Sequence, residues 1–291
     1  MTDSKAARAS TGLAIIFGVL LLASLSAFAS TVPHVVLVVE ENHSYSQVIG
    51  STSMPYLNSL ANTYGLATNY YANGHPSIDN YFMLTVGQSV TYNDAFTGTY
   101  SYGNIVRQLL IAGKSWKVYA EGLPYAGYLG GDTGNYVKHH NPFAYITDVR
   151  NSSVQPLNMV PFTQFQTDLN NNDLPNYSFV VPDNYHNGHS GTLSAADTWL
   201  KAMATSLFAN PAFKAGGVLI VVFDESITTD TAYGGGHVAM VIAGPNALHS
   251  RFGGLVQHQS LLNLTCSLVG LSNCPGKGLY APHITGMIKW P

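Results

Sequence analysis

The chain has 291 residues, of which 12 are Lys or Arg and 15 are Asp or Glu, so only 9% are charged and the formal net charge is −3. Hydrophobic residues make up 46%, which excludes disorder by composition, and 12 cations against 15 anions give no basic footprint for nucleic acid. Eleven histidines in a chain that otherwise avoids charge direct the search toward a site that uses imidazole.

In chain order, Lys5 and Arg8 precede an almost unbroken apolar run from Gly12 to Ser26, and Ala27-Phe28-Ala29 fits a small-residue cleavage pattern. Residues 1–29 therefore read as a secretory signal peptide, with an uncleaved anchor as the alternative reading of the same run. No later segment is long and apolar enough to span a bilayer, so no stable membrane span is expected after cleavage. The remainder, 30–291, reads as one exported domain. Cys266 and Cys274 are the only cysteines, and an even count in an exported chain predicts one disulfide.

His34 to Glu40 is a β-branched apolar run without alternation, the pattern of a strand buried on both faces. Helices are predicted over Pro55–Tyr64, Ser77–Val86, Ile105–Ala112, Ser194–Phe208 and Gln259–Leu268, with a short one around Phe162, Phe165 and Leu169. Strands are predicted over Ala67–Ala72, Trp116–Ala120, Tyr177–Val181, Val218–Phe223 and Val238–Ala243. Residues 121–160 carry Gly, Tyr, Asn and Pro without a sustained period, and read as a long irregular excursion over the sheet edge. Strands alternating with helices predict an α/β fold, a three-layer sandwich around a mainly parallel central sheet.

Ligands of such sheets gather at the carboxyl ends of the strands, and the residues there form a coherent set. Glu40, Glu41, Asn42 and His43 follow the first strand. Asn73-Gly74-His75-Pro76-Ser77 follows the second, with Ser77 opening a helix. Asp183-Asn184-Tyr185-His186-Asn187-Gly188-His189 follows Tyr177–Val181, Asp224-Glu225 follows Val218–Phe223, and Gly234-Gly235-Gly236-His237 precedes the Val238 strand. Carboxylate and amide oxygens suit Ca, Mg or Mn, and added imidazole widens the choice to Zn or Fe. A hydroxyl at a helix N-terminus beside a metal has the parts needed to attack phosphorus and hold its oxygens.

Val39-Glu40-Glu41-Asn42, His75-Pro76-Ser77-x-x-Asn80-Tyr81, Lys138-His139-His140-Asn141-Pro142-Phe143, the stretch from His189 to Asp197-x-Trp199-Leu200, Asp224-Glu225 and His258-x-Ser260-Leu261-Leu262 occur in this order. Together they resemble the bacterial phosphoesterase family of secreted acid phosphatases and phospholipases C, within the alkaline phosphatase superfamily. The resemblance implies an alkaline-phosphatase-like fold and a secreted or periplasmic bacterial acid phosphatase that hydrolyses phosphate monoesters through a phosphoserine. It implies Ser77 as nucleophile and a divalent metal ion surrounded by Glu41, Asn42, Ser77, Asp224 and Glu225. Asn80 and Asn42 would hold the phosphoryl oxygens, and His140 and His189 would serve as leaving-group acid or charge clamp. His258 matches another family histidine, and Asp183, His186 and His237 would form a second metal or accessory group. The substrate implied is a small phosphorylated molecule, a phospholipid or phosphoinositide included. Two positions depart from the family pattern: Asp79 stands where a Pro is familiar, and Asn187 where an Asp is common. The alternatives are a phospholipase C-type phosphodiesterase on the same core and a secreted Tyr-rich binding protein.

Overall fold

The computed structural model describes residues 1–2 and 33–290, so the signal-peptide reading of residues 1–29 lies outside the described residues apart from its first two. Among the described residues ten strands are formed: β1 Val35–Glu40, β2 Gly65–Ala67, β3 Tyr70–Tyr71, β4 Trp116–Ala120, β5 Met159–Pro161, β6 Tyr177–Val181, β7 Val218–Phe223, β8 Met240–Ala243, β9 Ser250–Phe252 and β10 Val256–Gln257. The helices are α1 Tyr45–Val48, α2 Pro55–Thr63, α3 Ser77–Val86, α4 Ile105–Ile111, α5 Thr147–Arg150, α6 Thr163–Asn171, α7 Leu193–Ala209, α8 Pro211–Lys214 and α9 His258–Val269.

Eight strands make one sheet in the order β5-β4-β6-β1-β7-β8-β2-β9. Pairing is parallel from β5 through β7, β8 runs antiparallel to β7, and β2 runs antiparallel to β8 but parallel to β9. This is the α/β fold with a mainly parallel sheet that the alternation of elements predicts. The central strands β1, β6 and β7 are buried along their whole length, which is why their sequences read as continuous apolar runs. Helix α3 packs against α9, and α2 packs on α7 with α6 and α8 alongside.

Two departures from the sequence reading have simple causes. The predicted strand Ala67–Ala72 is broken, because β2 joins the main sheet while β3 leaves it to pair with β10 in a separate two-stranded sheet. Thr68 and Asn69 make the turn between them. The 121–160 segment is irregular, and its later part is closely packed: it holds short 3-10 turns at Lys138–His140 and Pro142–Tyr145, then α5, a third turn at Gln155–Asn158 and the start of β5. Tyr136, Phe143, Ala144, Tyr145 and Ile146 are buried in the core, and the 138–145 turns lie against α3. The predicted disulfide joins Cys266 near the end of α9 to Cys274.

Candidate active site

Strands β4, β6, β1 and β7 are neighbours in the sheet and run parallel. Their carboxyl ends therefore set Glu121, Asp183, Glu41 and Asp224 along one edge. Side chains alternate across a strand, and this divides Glu40 from Glu41. Glu41 meets α3 and the 138–140 turn, where it accepts from the hydroxyls of Ser77, at 3.2 Å, and Tyr81. Glu40 is fully buried, and its carboxyl feels the charges of Asp197 on α7 and of Glu121.

Ser77 is the first residue of α3, after Pro76, and is 3% exposed. Tyr81 lies one turn later on the same helix face, which is why both hydroxyls reach Glu41. Asp224, at the end of β7, is fully buried and its charge acts on Glu41. Asn42 adopts a left-handed backbone conformation, φ 44°, which Asn tolerates better than most residues. Its backbone N–H donates to Asp224 Oδ1 at 3.2 Å, and its amide Nδ2 donates to Glu225 Oε1 at 3.2 Å. Asn80 accepts from the N–H groups of Asn73 and Gly74, at 2.9 and 3.2 Å, and donates to Gly74 O and Glu225 Oε2, at 2.8 and 3.2 Å. Both amide donors of Asn80 are thus committed to holding Glu225 and the 73–74 turn. Asp79, the departure from the family pattern, turns away from Ser77 and accepts from Ser89.

Glu41, Asp224 and Glu225 are each no more than 2% exposed. Burial, with mutual repulsion added, pushes Glu41 well above the usual carboxylate range and Glu225 up to about 10. Burial alone raises Asp224 to about 7. Asp224 Oδ2 and Asn42 Oδ1 are buried and have no hydrogen-bond partner among the described residues. Three crowded buried carboxylates, with an unpartnered oxygen on Asp224 and another on the Asn42 amide, offer donors that a hard divalent cation completes, so the residues fit such an ion.

The histidines divide by place. His140 is buried, stacked on Tyr81 with ring centroids 5.2 Å apart, and its Nε2 lies 3.3 Å from Glu41 Oε1. Burial, reinforced by His139 and His189, holds it neutral, well below the usual imidazole value. His189 is exposed at the mouth, its ring 6.3 Å from that of His140. His258, fully buried, donates from Nε2 to Asp224 O at 2.6 Å while Nδ1 accepts from Tyr70 at 2.8 Å; burial pushes it down to about 4. It fixes the backbone under Asp224. His75 places Nδ1 3.2 Å from Glu225 Oε2 and Nε2 3.1 Å from Asp230 O.

The expected grouping of Asp183, His186 and His237 does not form. Asp183 and His186 instead gather with Glu121, the candidate ligand atoms lying within 4.8 Å of one another. Glu121 Oε2 accepts from Asp183 N and faces His186 Nδ1 at 3.0 Å. His237 is stacked between Tyr45 and Tyr71. The Gly234–Gly236 run before it lets backbones meet: a Cβ on Gly235 would sit 2.6 Å from Gly74 O, and one on Gly236 would collide with Ser226 Oγ. Of four further residues near the site, Tyr81 and His75 stand in the His75-Pro76-Ser77-x-x-Asn80-Tyr81 motif without an assigned role, while Glu121 and Asp94 belong to no motif. Tyr81 was visible as the residue one turn after Ser77, and Glu121 as the polar residue directly after β4. Asp94, whose Oδ1 accepts from Ile78 N at 3.1 Å, lies in a loop that no local pattern marks.

A mainly parallel sheet sets a helix-borne hydroxyl over a carboxylate cradle at its carboxyl edge, within a fold of the alkaline phosphatase type. The fold agrees: a protein in the alkaline phosphatase superfamily from Vibrio parahaemolyticus superposes with a TM-score of 0.61 over 84% of this chain and 68% of its own, at 12% identity. The chain belongs to the phosphoesterase family, whose model matches residues 51–238, and is a phosphoric ester hydrolase. It is 32% identical to phosphatidylinositol-3-phosphatase of Mycobacterium tuberculosis, over 88% of this chain and 82% of that one. It is 31% identical to the phosphate-repressible acid phosphatase of Penicillium chrysogenum over 59% of this chain and 43% of that longer protein.

Proposed function

We propose that the protein is an exported, metal-dependent acid phosphatase that hydrolyses phosphate monoesters through a phosphoserine at Ser77. The observation that carries this reading is the Ser77 hydroxyl, on the first turn of α3, donating to Glu41 in a ring of buried carboxylates. The helix dipole favours an anion at that turn, where the Ile78 N–H already holds the Asp94 carboxylate. Ser77 Oγ attacks phosphorus as its proton passes toward Glu41 Oε2, and the ester P–O bond breaks. His189, exposed at the mouth, gives a proton to the departing alcohol, while buried neutral His140 and Tyr81 hold Glu41 in place. Water then hydrolyses the phosphoserine, releasing phosphate and restoring the hydroxyl. A divalent ion held by Glu41, Asn42, Ser77, Asp224 and Glu225 supplies positive charge that lowers the hydroxyl pKa and offsets charge on the phosphoryl oxygens. The mycobacterial relative's name supports a phosphorylated lipid headgroup as a substrate, and the 1–29 pattern supports export.

Ser77→Ala is expected to lower kcat for p-nitrophenyl phosphate by at least about a thousandfold with an unchanged circular dichroism spectrum. Near wild-type turnover in that variant rejects the assignment.

A further inference from the structure

The first turn of α3 carries the nucleophile, and its cap comes from elsewhere in the chain. Pro76, at the N-cap, offers no side-chain cap. Asp94 supplies one instead: its Oδ1 accepts from the N–H of Ile78, the residue after Ser77, at 3.1 Å. The segment that brings Asp94 there is tied to the same turn a second time, where Ser89 donates to Asp79. Between these two ties, Tyr92 lies against Gly74. A helix N-terminus draws an anion, and here a carboxylate of the chain already holds the donor next to the attacking hydroxyl.

The neighbours of Asp94 leave its charge uncancelled. On the 138–140 turn, His139 Nε2 is 4.0 Å from Asp94 Oδ2, but burial outweighs that carboxylate and pushes the imidazole pKa down. Lys138 borders one cleft with Asp94, Asp132 and Tyr145. Its ammonium sits over the Tyr145 ring, 4.7 Å from the centroid, and makes no ion pair with Asp94 among the described residues. Past the end of β7, Glu225 is raised by burial first and then by the charges of Asp224 and Asp94. The Asp94 charge is therefore felt inside the carboxylate cradle.

We propose that Asp94 selects the charge state of the phosphate at Ser77, favouring the monoanion over the dianion. The proposal rests on the phosphomonoesterase reading above and adds a specificity-determining residue to that site. A phosphoryl group placed for attack by Ser77 Oγ brings its oxygens to the turn where the Asp94 carboxylate is seated. Coulomb repulsion scales with the charge of the incoming group, so a dianion is repelled about twice as strongly as a monoanion. Phosphate monoesters lose their second proton at about pH 6. The same carboxylate thus admits substrate in acid, weakens its binding above about pH 6, and speeds the departure of dianionic product.

Asp94→Asn is the deciding variant, because an amide oxygen still accepts from Ile78 N–H while the charge is gone. With divalent ion saturating, the inhibition constant of inorganic phosphate should fall by about fivefold or more at about pH 8, and by only about twofold at about pH 5. KM for p-nitrophenyl phosphate should change in the same pattern. Asp132→Asn removes a charge from the same cleft and should leave both constants within about twofold. Unchanged or weaker phosphate binding in Asp94→Asn at the higher pH overturns the proposal, as does an equal change at both pH values or an equal change in Asp132→Asn. A second measurement needs no variant: the wild-type KM for p-nitrophenyl phosphate should rise as pH passes through about 6, and a KM that stays flat or falls also overturns it. Wild-type protein that hydrolyses no phosphate monoester overturns the phosphatase reading itself, and that assay comes first.

Discussion

Glu40 and Glu41 are adjacent, identical and both buried, yet the structure separates their chemistry. Glu41 accepts from two hydroxyls and faces His140. Glu40 points to the other side of the sheet with neither oxygen hydrogen-bonded among the described residues, and burial beside Asp197 and Glu121 raises its pKa well above the usual value. A carboxyl in that state is held neutral, so an isosteric amide replaces it at little cost. Glu40→Gln is expected to keep kcat within about twofold, whereas Glu41→Gln should lower it by about a hundredfold or more. Steady-state rates on one monoester decide this, and comparable losses in the two variants contradict the division. Pattern reading groups both glutamates with the site because both end the same strand. Only the pleat assigns them to opposite faces.

Among the elements, α2 shows how a motif residue can be structural. Its N-cap is Met54, which offers no side-chain cap. The free N–H groups of Tyr56 and Leu57 instead donate to Asp197 on α7, at 2.9 and 2.8 Å. Asp197 belongs to the family-like stretch Asp197-x-Trp199-Leu200, and its place here is a cap supplied from a helix about 140 residues away in sequence. Asp197→Ala should destabilise the fold by about 1–2 kcal/mol in a denaturant titration, with little change in KM. A large selective loss of activity at unchanged stability would place Asp197 in the site instead. The same logic makes α9 a support: it opens with His258, which holds the Asp224 carbonyl. The helix boundaries were readable because caps and apolar spacing are local. The borrowed cap and the His258 contact were not, because their partners come together only through the sheet.

For the molecule as a whole, the scarcity of charge concentrates its electrostatic consequences at the site. Asp224 and Glu225 have folded pKa values of about 7 and about 10, against about 4 in an unfolded chain. A carboxyl raised in this way favours folding below its unfolded value, and that contribution is lost as pH rises through the folded value. His258 acts in the opposite sense: lowered to about 4, its contribution is present above its unfolded value of about 6.5 and is lost as pH falls. Between about pH 6.5 and 8.5 the carboxylates therefore dominate. The Tm of chelator-treated protein should fall across that interval, and a divalent ion should restore it. Asp224→Asn should raise the chelator-treated Tm at pH 8 and remove the response to added ion. A Tm that is flat with pH and insensitive to metal would contradict the cradle.

By itself the sequence determined the α/β class, the core strands β1, β4, β6 and β7 almost to the residue, and the disulfide partners, and through its motifs it nominated Glu41, Asn42, Ser77, Asp224 and Glu225 as one candidate set. These follow from local periodicity, from cysteine count and from motifs placed at strand ends. Tertiary structure alone decided which carboxylates face Ser77, that Glu121 joins Asp183 and His186 while His237 stacks between tyrosines, and that Asp94 and Lys138 border one cleft. Those facts depend on strand order and on the side each residue faces, which are fixed only when distant segments pack around the same sheet edge.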